Sequence, residues 1–256
     1  KSVAFLVKML NQAINSLKLY YSIYSAPCRT VLLTLKCLDL DLPPESMRHV
    51  CIYKKFEQFE PWYEQINYEK IVPTIVDNGF VLWESRAIAK YLVQKHAKSE
   101  KRSLYPSDIR EQALVDRILY FDQGVLNQSI CDYFKPQYDS KSPPNPILGA
   151  EIDRSLQLLE KIINGKNFVL GGTGGDDLLT IADLSILATL SKLESMNYSY
   201  DRYEIVSKYV EYLKDHIASY RECCQDGINQ MKKWNRKNFK YVESHIYHGT
   251  PNERII

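Results

Sequence analysis

Residues 20–28, YYSIYSAPC, place a hydroxyl and a thiol three positions apart, at Ser25 and Cys28. The apolar and aromatic residues before Ser25 predict a β-strand, and the apolar residues spaced three and four apart after Cys28 predict a helix. Pro27 then lies in the first helical turn, where proline is tolerated. Ser25 is therefore expected at a helix N-terminus, where free amides and the helix dipole favour a negative charge.

Three chemical roles are open to the Ser25 hydroxyl: it can cap the helix, attack an electrophile, or donate a hydrogen bond to an anion. Capping is the ordinary structural role of a serine at this position. A serine nucleophile needs a neighbouring base, and no histidine lies near Ser25 in the sequence. The five histidines are His49, His96, His216, His245 and His248. Capping and donation to an anion remain, and one hydroxyl can do both.

The cysteines indicate free thiols. The six cysteines form no C-x-x-C pair and show no metal-ligand spacing, which suits a reducing compartment and predicts a cytoplasmic protein. Ser25 occupies the position where a redox motif would carry its first cysteine, so no disulfide can form within this turn. A single thiol at Cys28 is still able to attack a mixed disulfide, which keeps thiol transfer open as an alternative.

The composition is that of a globular chain with one large or two ordinary domains: 256 residues, 45% apolar and 25% charged. Lys and Arg total 33 against 31 Asp and Glu, so no basic face for nucleic acid is indicated. No run of about 18 apolar residues predicts a membrane span. The 19 tyrosines exceed what a core requires and suit a ligand cleft.

The elements that must position Ser25 form a β-α-β-β-α pattern. The first strand and helix are followed by a second strand at 48–53 and a short helix that ends at Asn67. Two further strands meet at Asp77-Asn78-Gly79, a strong hairpin signal, and a helix covers 85–96.

The remainder is predicted to be helical. A long helix is kinked or ended by Pro136, a second ends at Gly165, a loop covers 170–177, and two more helices cover 203–217 and 219–234. Thr180 and Asp183 predict a capping box. The predicted organisation is an N-terminal extension (1–16, without a secretory signal and with Met9 as a potential start), an α/β domain (17–97), a linker (98–106), an all-α domain (107–235) and a tail (236–256).

Four motifs in this order resemble one family. SAPCR from Ser25, VPTIVDNG from Val72, LWESRAI from Leu82 and TIADLS from Thr180, together with LYFD from Leu119, are similar to cytosolic glutathione transferases of the insect delta and epsilon classes, delta most of all. The similarity covers roughly residues 17–235. It implies a thioredoxin-like domain that binds glutathione and a helical domain that binds an electrophile. It also implies a homodimer that needs glutathione as co-substrate and no other cofactor or metal.

The resemblance implies that Ser25 is catalytic and donates a hydrogen bond to the glutathione sulfur, favouring the thiolate. A free thiol has a pKa of about 8.5, and lowering that pKa by about two units requires roughly 2.7 kcal/mol. A charge-assisted hydrogen bond together with a helix N-terminus is of that size.

The resemblance also assigns the other site residues. A cis Pro73 turns the backbone of Val72 toward glutathione, Glu84 and Ser85 hold its γ-glutamyl end, and Arg86 adds charge. Gln58 and Lys70 replace histidines that hold the glycine carboxylate in delta-like relatives, and Tyr24 replaces a glycine. The electrophile pocket is expected to draw on Tyr24, Ala26, Pro27, Tyr120, Ile130, Tyr133 and Phe134.

The sequence thus predicts a detoxifying glutathione transferase that conjugates the thiolate to hydrophobic electrophiles. The replacements at Tyr24, Gln58 and Lys70 favour one alternative, a non-catalytic protein that binds glutathione or hydrophobic ligands. A glutathione-dependent peroxidase or thiol transferase is another alternative. No nucleic-acid or membrane partner is expected.

Overall fold

The computed structural model describes residues 17–171 and 178–238. The predicted N-terminal extension, residues 172–177 of the predicted loop and residues 239–256 of the tail lie outside the described residues.

The first part of the chain folds around a four-stranded mixed sheet. Its strands are β1 (Leu17–Tyr21), β2 (Met47–His49), β3 (Thr74–Asp77) and β4 (Phe80–Trp83), in the order β2-β1-β3-β4. Strand β1 runs parallel to β2 and antiparallel to β3, and β3 runs antiparallel to β4. This is a thioredoxin-like sheet, as the family resemblance implied.

Two helices, α1 (Ala26–Cys37) and α3 (Ser85–His96), pack against each other, and their buried side chains share one core with those of the sheet. Leu17 and Leu19 on β1 are buried while Lys18 is exposed, the alternation expected of a strand with one face on the core. A one-turn helix, α2 (Pro61–Glu64), lies between β2 and β3.

The β3–β4 hairpin forms where the sequence predicts it. Asn78 and Gly79 both have positive φ, 50° and 84°. Two successive residues with positive φ form the type I′ turn that Asn-Gly favours. This turn is common in hairpins because its twist matches that of the strands.

The second part contains six helices within the described residues. They are α4 (Ile109–Phe121), α5 (Gln128–Asp139), α6 (Pro146–Ile163), α7 (Ile181–Ser195), α8 (Glu204–His216) and α9 (Asp226–Asn238). Helix α7 is buried on nearly all sides and contacts α1, α4 and α9, so it forms the seam between the two parts. None of the described helices combines the length and apolar content that crossing a bilayer requires.

Some predicted limits differ from the structure. The second strand stops at His49: the amide of Val50 still donates to Tyr21 O, but residues 52–55 form a turn that takes the chain away from the sheet. Pro136 lies inside α5, and the break in the long helix falls earlier, at a π-helical turn (Asp122–Asn127). A second π-helical turn (Arg221–Gln225) precedes α9, and the short helix ends at Glu64 rather than Asn67. The limits predicted for the two domains and the linker stay predictions.

Candidate active site

The topology brings one end of all four strands to one edge of the sheet. Tyr21 at the end of β1 pairs with His49 at the end of β2, and Tyr20 pairs with Thr74 at the start of β3. Thr74 in turn pairs with Trp83 at the end of β4. Ser25, Pro73 and Ser85 lie within four residues of these strand ends, and Gln58 lies in the segment between β2 and α2. The sheet therefore gathers the predicted serine and most of the predicted glutathione residues at one edge.

Ser25 is the N-cap of α1. Its backbone is extended (φ −92°, ψ 119°), and its Oγ accepts a hydrogen bond from the amide of Cys28 at 3.4 Å. The amide of Arg29 donates to Ser25 O at 3.3 Å, and Pro27 has no N–H, so these positions offer no amide to a ligand. A hydroxyl that accepts in the cap keeps its proton for donation. Ser25 is partly exposed, so its hydroxyl is not closed off from solvent.

Cys28 is an unreactive thiol in this structure. Its side chain is fully buried, and its Sγ accepts a hydrogen bond from the amide of Ser22 at 3.3 Å. Burial raises the pKa of this thiol to about 11, although the hydrogen bond from the amide of Ser22 opposes that shift. The thiolate, which is the nucleophilic form, is therefore scarce near neutral pH, which disfavours thiol transfer at this turn.

The Val72–Pro73 peptide bond is cis, as the resemblance implied. Two buried residues that the sequence analysis missed hold this segment. Tyr63 donates to Ile71 O at 2.5 Å and shares a 2.9 Å hydrogen bond with Thr74 Oγ1. Asn67 Nδ2 donates to Ile71 O at 3.1 Å and to Thr74 Oγ1 at 2.9 Å. These bonds fix the backbone on both sides of the cis bond.

The N-terminus of α3 suits a carboxylate. Ser85 is the first residue of this 12-residue helix, is 2% exposed, and its Oγ has no hydrogen-bond partner among the described residues. A buried hydroxyl without a partner is costly in a native protein, which points to a ligand group at this position. Glu84 precedes it with a positive φ of 69° and an exposed side chain. The two residues offer a donor and an acceptor side by side.

Gln58 and Lys70 are already engaged by the protein. Gln58 Nε2 donates to Ile52 O at 3.4 Å, while its buried Oε1 has no partner among the described residues. Lys70 forms an ion pair with Glu64 at 3.0 Å, and its side chain is one-third exposed. An ion pair of this exposure is weak, so the ammonium can exchange Glu64 for another carboxylate.

Arg86 is committed to the seam between the two parts of the molecule. Its Nε and a terminal nitrogen both donate to Asp122 Oδ2, at 3.0 and 2.5 Å, and the Asp122 side chain is fully buried. Ser185 donates to the same oxygen at 2.5 Å. The charge of Arg86 is balanced by the buried carboxylate of Asp122. The structure therefore does not support the prediction that Arg86 binds glutathione.

The predicted electrophile pocket is not assembled as a unit. Ile130, Tyr133 and Phe134 are at most 4% exposed, and both aromatic rings pack edge to face against Tyr198 inside the helical part. Tyr120, in contrast, is 78% exposed on α4. Only the predicted pocket residues of the turn itself, Tyr24, Ala26 and Pro27, adjoin Ser25 in the chain. The positions of the other four do not support a role in a pocket. Ile130, Tyr133 and Phe134 lie in the core, and Tyr120 faces solvent.

The structure instead brings two unpredicted aromatic residues to the turn. Tyr53, in the loop after β2, packs edge to face on Tyr24, with ring centroids 5.5 Å apart. Trp234 on α9 lies 5.1 Å from Tyr53. The apolar periodicity of residues 219–234 predicts a helix, but no local signal places that helix beside Ser25.

The fold and this site together define a class: proteins with a thioredoxin-like domain, a serine at the N-terminus of its first helix, and a helical second domain. Comparison with known proteins agrees. The model of the glutathione S-transferase N-terminal domain family matches residues 19–100.

Solved structures of insect enzymes extend the match to most of the chain. A delta-class glutathione transferase of Nilaparvata lugens is 32% identical, with 86% of this chain and 99% of that chain covered and a TM-score of 0.78. Bombyx mori glutathione transferase BmGSTD1 is 31% identical over 85% and 97% of the two chains (TM-score 0.76). An epsilon-class enzyme of the housefly, Musca domestica, is 29% identical over 87% and 98% (TM-score 0.76).

This chain belongs to the glutathione transferase family, and its structural neighbours include delta- and epsilon-class enzymes of insects. The predicted resemblance and fold class are therefore confirmed.

Proposed function

We propose that this chain conjugates glutathione to hydrophobic electrophiles, with the Ser25 hydroxyl stabilising the thiolate. The observation that carries the proposal is the position of Ser25: its Oγ accepts from Cys28 and so keeps its proton for a sulfur at the same sheet edge as Pro73 and Ser85. Donation to a charged group is worth about 1.5–3 kcal/mol, which covers a pKa reduction of about one to two units.

The remaining residues bind and orient glutathione in this proposal. The backbone of Val72 pairs with the cysteinyl residue, Ser85 donates to the γ-glutamyl carboxylate, and Glu84 accepts from its ammonium. Lys70 and Gln58 face the glycine end. The thiolate then attacks the electrophilic carbon, a new sulfur–carbon bond forms, and the leaving group departs with the electron pair of its bond.

The proposal includes a cytoplasmic homodimer that detoxifies apolar compounds. Oligomers of this kind are commonly two-fold dimers, and the free thiols suit a reducing compartment. Its partners are glutathione and small electrophiles.

A second candidate, glutathione binding without turnover, is favoured by the engaged side chains. Lys70 shares its charge with Glu64, and Tyr24 donates to Gln230 beside the catalytic turn. The ion pair of Lys70 weakens glutathione binding, and the Tyr24–Gln230 hydrogen bond hinders access of the electrophile to Ser25.

The substitution Ser25→Ala tests the catalytic role. We expect kcat/KM for 1-chloro-2,4-dinitrobenzene to fall about 10- to 100-fold, since that corresponds to one hydrogen bond to a charged group. The apparent thiol pKa, taken from kcat/KM between pH 6 and 9, should rise toward the ~8.5 of a free thiol. The Kd of glutathione should change little.

Two variants serve as controls. Ser25→Thr keeps the hydroxyl and the cap, and Ser22→Ala removes a buried hydroxyl that has no partner among the described residues. An unchanged pH profile in Ser25→Ala would contradict the proposed role of the hydroxyl. Wild-type protein that binds glutathione and conjugates nothing would establish the second candidate instead.

A further inference from the structure

Arg29 is a buried cation without a counterion in the described part of the chain. It follows Ser25 by one turn of α1 and is 1% exposed. None of the described carboxylates forms an ion pair with it, and its Nε has no hydrogen-bond partner among the described residues. Arginine is almost never fully buried unless its charge is paired, because an unpaired buried charge is costly. This exception points to a function for the charge.

Two neutral acceptors hold the guanidinium. One terminal nitrogen donates to Ser191 Oγ on α7 at 2.7 Å, and the other donates to the carbonyl oxygen of Ile23 at 3.4 Å. Ile23 lies two residues before Ser25. A Cβ atom built on Gly227 of α9 would lie 2.1 Å from the same carbonyl oxygen and 3.5 Å from the guanidinium. The charge is therefore enclosed by α7, α9 and the turn that carries Ser25.

The titratable groups that face Arg29 are neutral near pH 7. It interacts electrostatically with Cys28 of α1, Tyr53 of the loop after β2, and Tyr220 and Cys224 of the segment before α9. Burial raises the pKa of Cys28 to about 11 and the pKa values of Tyr53 and Cys224 to about 12, and it also raises the pKa of Tyr220. Burial lowers the pKa of Arg29, but a guanidinium keeps its charge in proteins. None of these four neighbours balances that charge.

One carboxylate acts on the same neighbourhood and is already paired. Glu194 of α7 interacts electrostatically with Tyr220 and Cys224. Its two oxygens form ion pairs with Lys214 at 2.8 Å and Lys232 at 3.5 Å. Glu194 therefore leaves the positive charge of Arg29 unbalanced.

We propose that Arg29 is a positioning residue for the glutathione thiolate: it holds the turn at Ile23, and its unbalanced charge acts through the turn on the sulfur that Ser25 binds. This proposal rests on the proposed function. A helical side chain leans toward the preceding turn of its helix, which directs the Arg29 charge toward the N-terminus of α1. A charge in a dry interior acts more strongly than one in water, and this one is fixed before glutathione binds. The thiolate is the anion that balances it.

The substitution Arg29→Met tests the charge, because methionine keeps an unbranched apolar side chain. We expect the pKa of the bound glutathione thiol to rise by about one unit, the low end of the effect of a nearby opposite charge. The ultraviolet absorbance of the thiolate in the complex measures this pKa without turnover. Near neutral pH the Kd of glutathione should rise severalfold, and at most about tenfold. The Kd of S-methylglutathione, which forms no thiolate, should not change.

Ser191→Ala is the control for a merely structural role. It removes the 2.7 Å hydrogen bond of Arg29 across the seam and leaves the charge in place. We expect the pKa of bound glutathione to stay at the wild-type value in this variant. If Arg29 only holds the fold, Arg29→Met and Ser191→Ala should instead weaken the binding of glutathione and S-methylglutathione equally, and that result would overturn the proposal.

A second pair of variants keeps the test valid should Arg29→Met not fold. Cys224→Asp places a carboxylate beside Arg29 and supplies the counterion that the wild type lacks. Cys224→Asn has nearly the same size without the charge. We expect the pKa of bound glutathione to rise by about one unit in Cys224→Asp and to stay unchanged in Cys224→Asn.

The thiolate titration separates failure of this proposal from failure of the proposed function. An unchanged pKa of bound glutathione in both Arg29→Met and Cys224→Asp would overturn the role of the charge, even in an active enzyme. A raised pKa in these variants of a protein that conjugates nothing would support Arg29 and reject the conjugation activity. Wild-type protein that binds glutathione with the pKa of a free thiol would overturn the roles of both Ser25 and Arg29.

Discussion

At the scale of single residues, the hydroxyl of Ser25 caps α1 and still has a proton for the chemical role proposed for it. Its oxygen closes the first turn of α1, and its proton is left to donate. The capping and anion-donor roles that the sequence leaves open are thus compatible in one geometry. Cys28, three residues on, has the opposite character, since its sulfur is buried and its pKa is raised.

The raised pKa of Cys28 predicts slow alkylation. Burial moves this pKa from about 9 to about 11, so the native protein holds roughly a hundredfold less thiolate at pH 8 than an exposed thiol. We expect iodoacetamide to label native Cys28 at least tenfold more slowly than glutathione at that pH, as followed by peptide mass spectrometry. Rapid labelling would show that the turn opens.

The same shift has a consequence for stability against pH. Because the folded pKa lies above the unfolded pKa, the contribution of Cys28 is complete below about pH 9 and is lost as the pH rises toward about 11. The Tm of the wild type should therefore fall more steeply over that window than the Tm of Cys28→Ala. Parallel curves would argue against a buried neutral thiol.

At the scale of elements, side chains at the helix ends do much to set where the helices begin and what they pack against. Asp183 closes the capping box of α7 and also accepts from the amide of Val169 at 2.7 Å and the hydroxyl of Tyr209 at 2.9 Å. Burial raises the pKa of this carboxyl even against its four donors. One side chain thereby joins α7, α8 and the segment that follows α6.

This arrangement predicts a large effect for Asp183→Ala. The variant loses a cap and leaves buried donors without an acceptor, so we expect the free energy of unfolding to fall by about 3 kcal/mol. Asp108→Ala is the matched control, because Asp108 caps α4 in the same way on the surface, by accepting from the amides of Arg110 and Glu111. The control should lose about 1 kcal/mol in urea unfolding. Equal losses would contradict the role of burial.

At the scale of the whole molecule, polar contacts across the seam link the two parts. Arg29 is buried beside the turn that carries Ser25 and donates to Ser191 Oγ at 2.7 Å, while Arg86 donates to Asp122. Both arginines belong to the first part and both acceptors to the second. The position of the helical part relative to Ser25 depends on this seam.

The Arg86–Asp122 pair predicts a stability effect. Arg86→Ala leaves a buried carboxylate unpaired, and we expect a loss of about 3–5 kcal/mol in the free energy of unfolding. The double variant Arg86→Ala/Asp122→Ala should recover part of that loss, because no buried charge then remains. If Arg86→Ala changes the free energy of unfolding little but raises the Kd of glutathione strongly, Arg86 binds glutathione instead.

The sequence by itself determined the local structure and the family. Ser25, Asn78-Gly79 and the Thr180–Asp183 box act through their own backbone neighbours, so their geometry follows from residue type and spacing. The order of the strands and helices follows from periodicity in the same way.

Only the tertiary structure decided which side chains meet across the seam. Helical spacing alone cannot tell whether Ile130 and Phe134 face a pocket or the core, and the packing of α5 buries both. The meeting of Tyr53 with Trp234, and of Arg86 with Asp122, depends on how distant elements pack, because burial and pairing energies act between neighbours in space rather than in sequence.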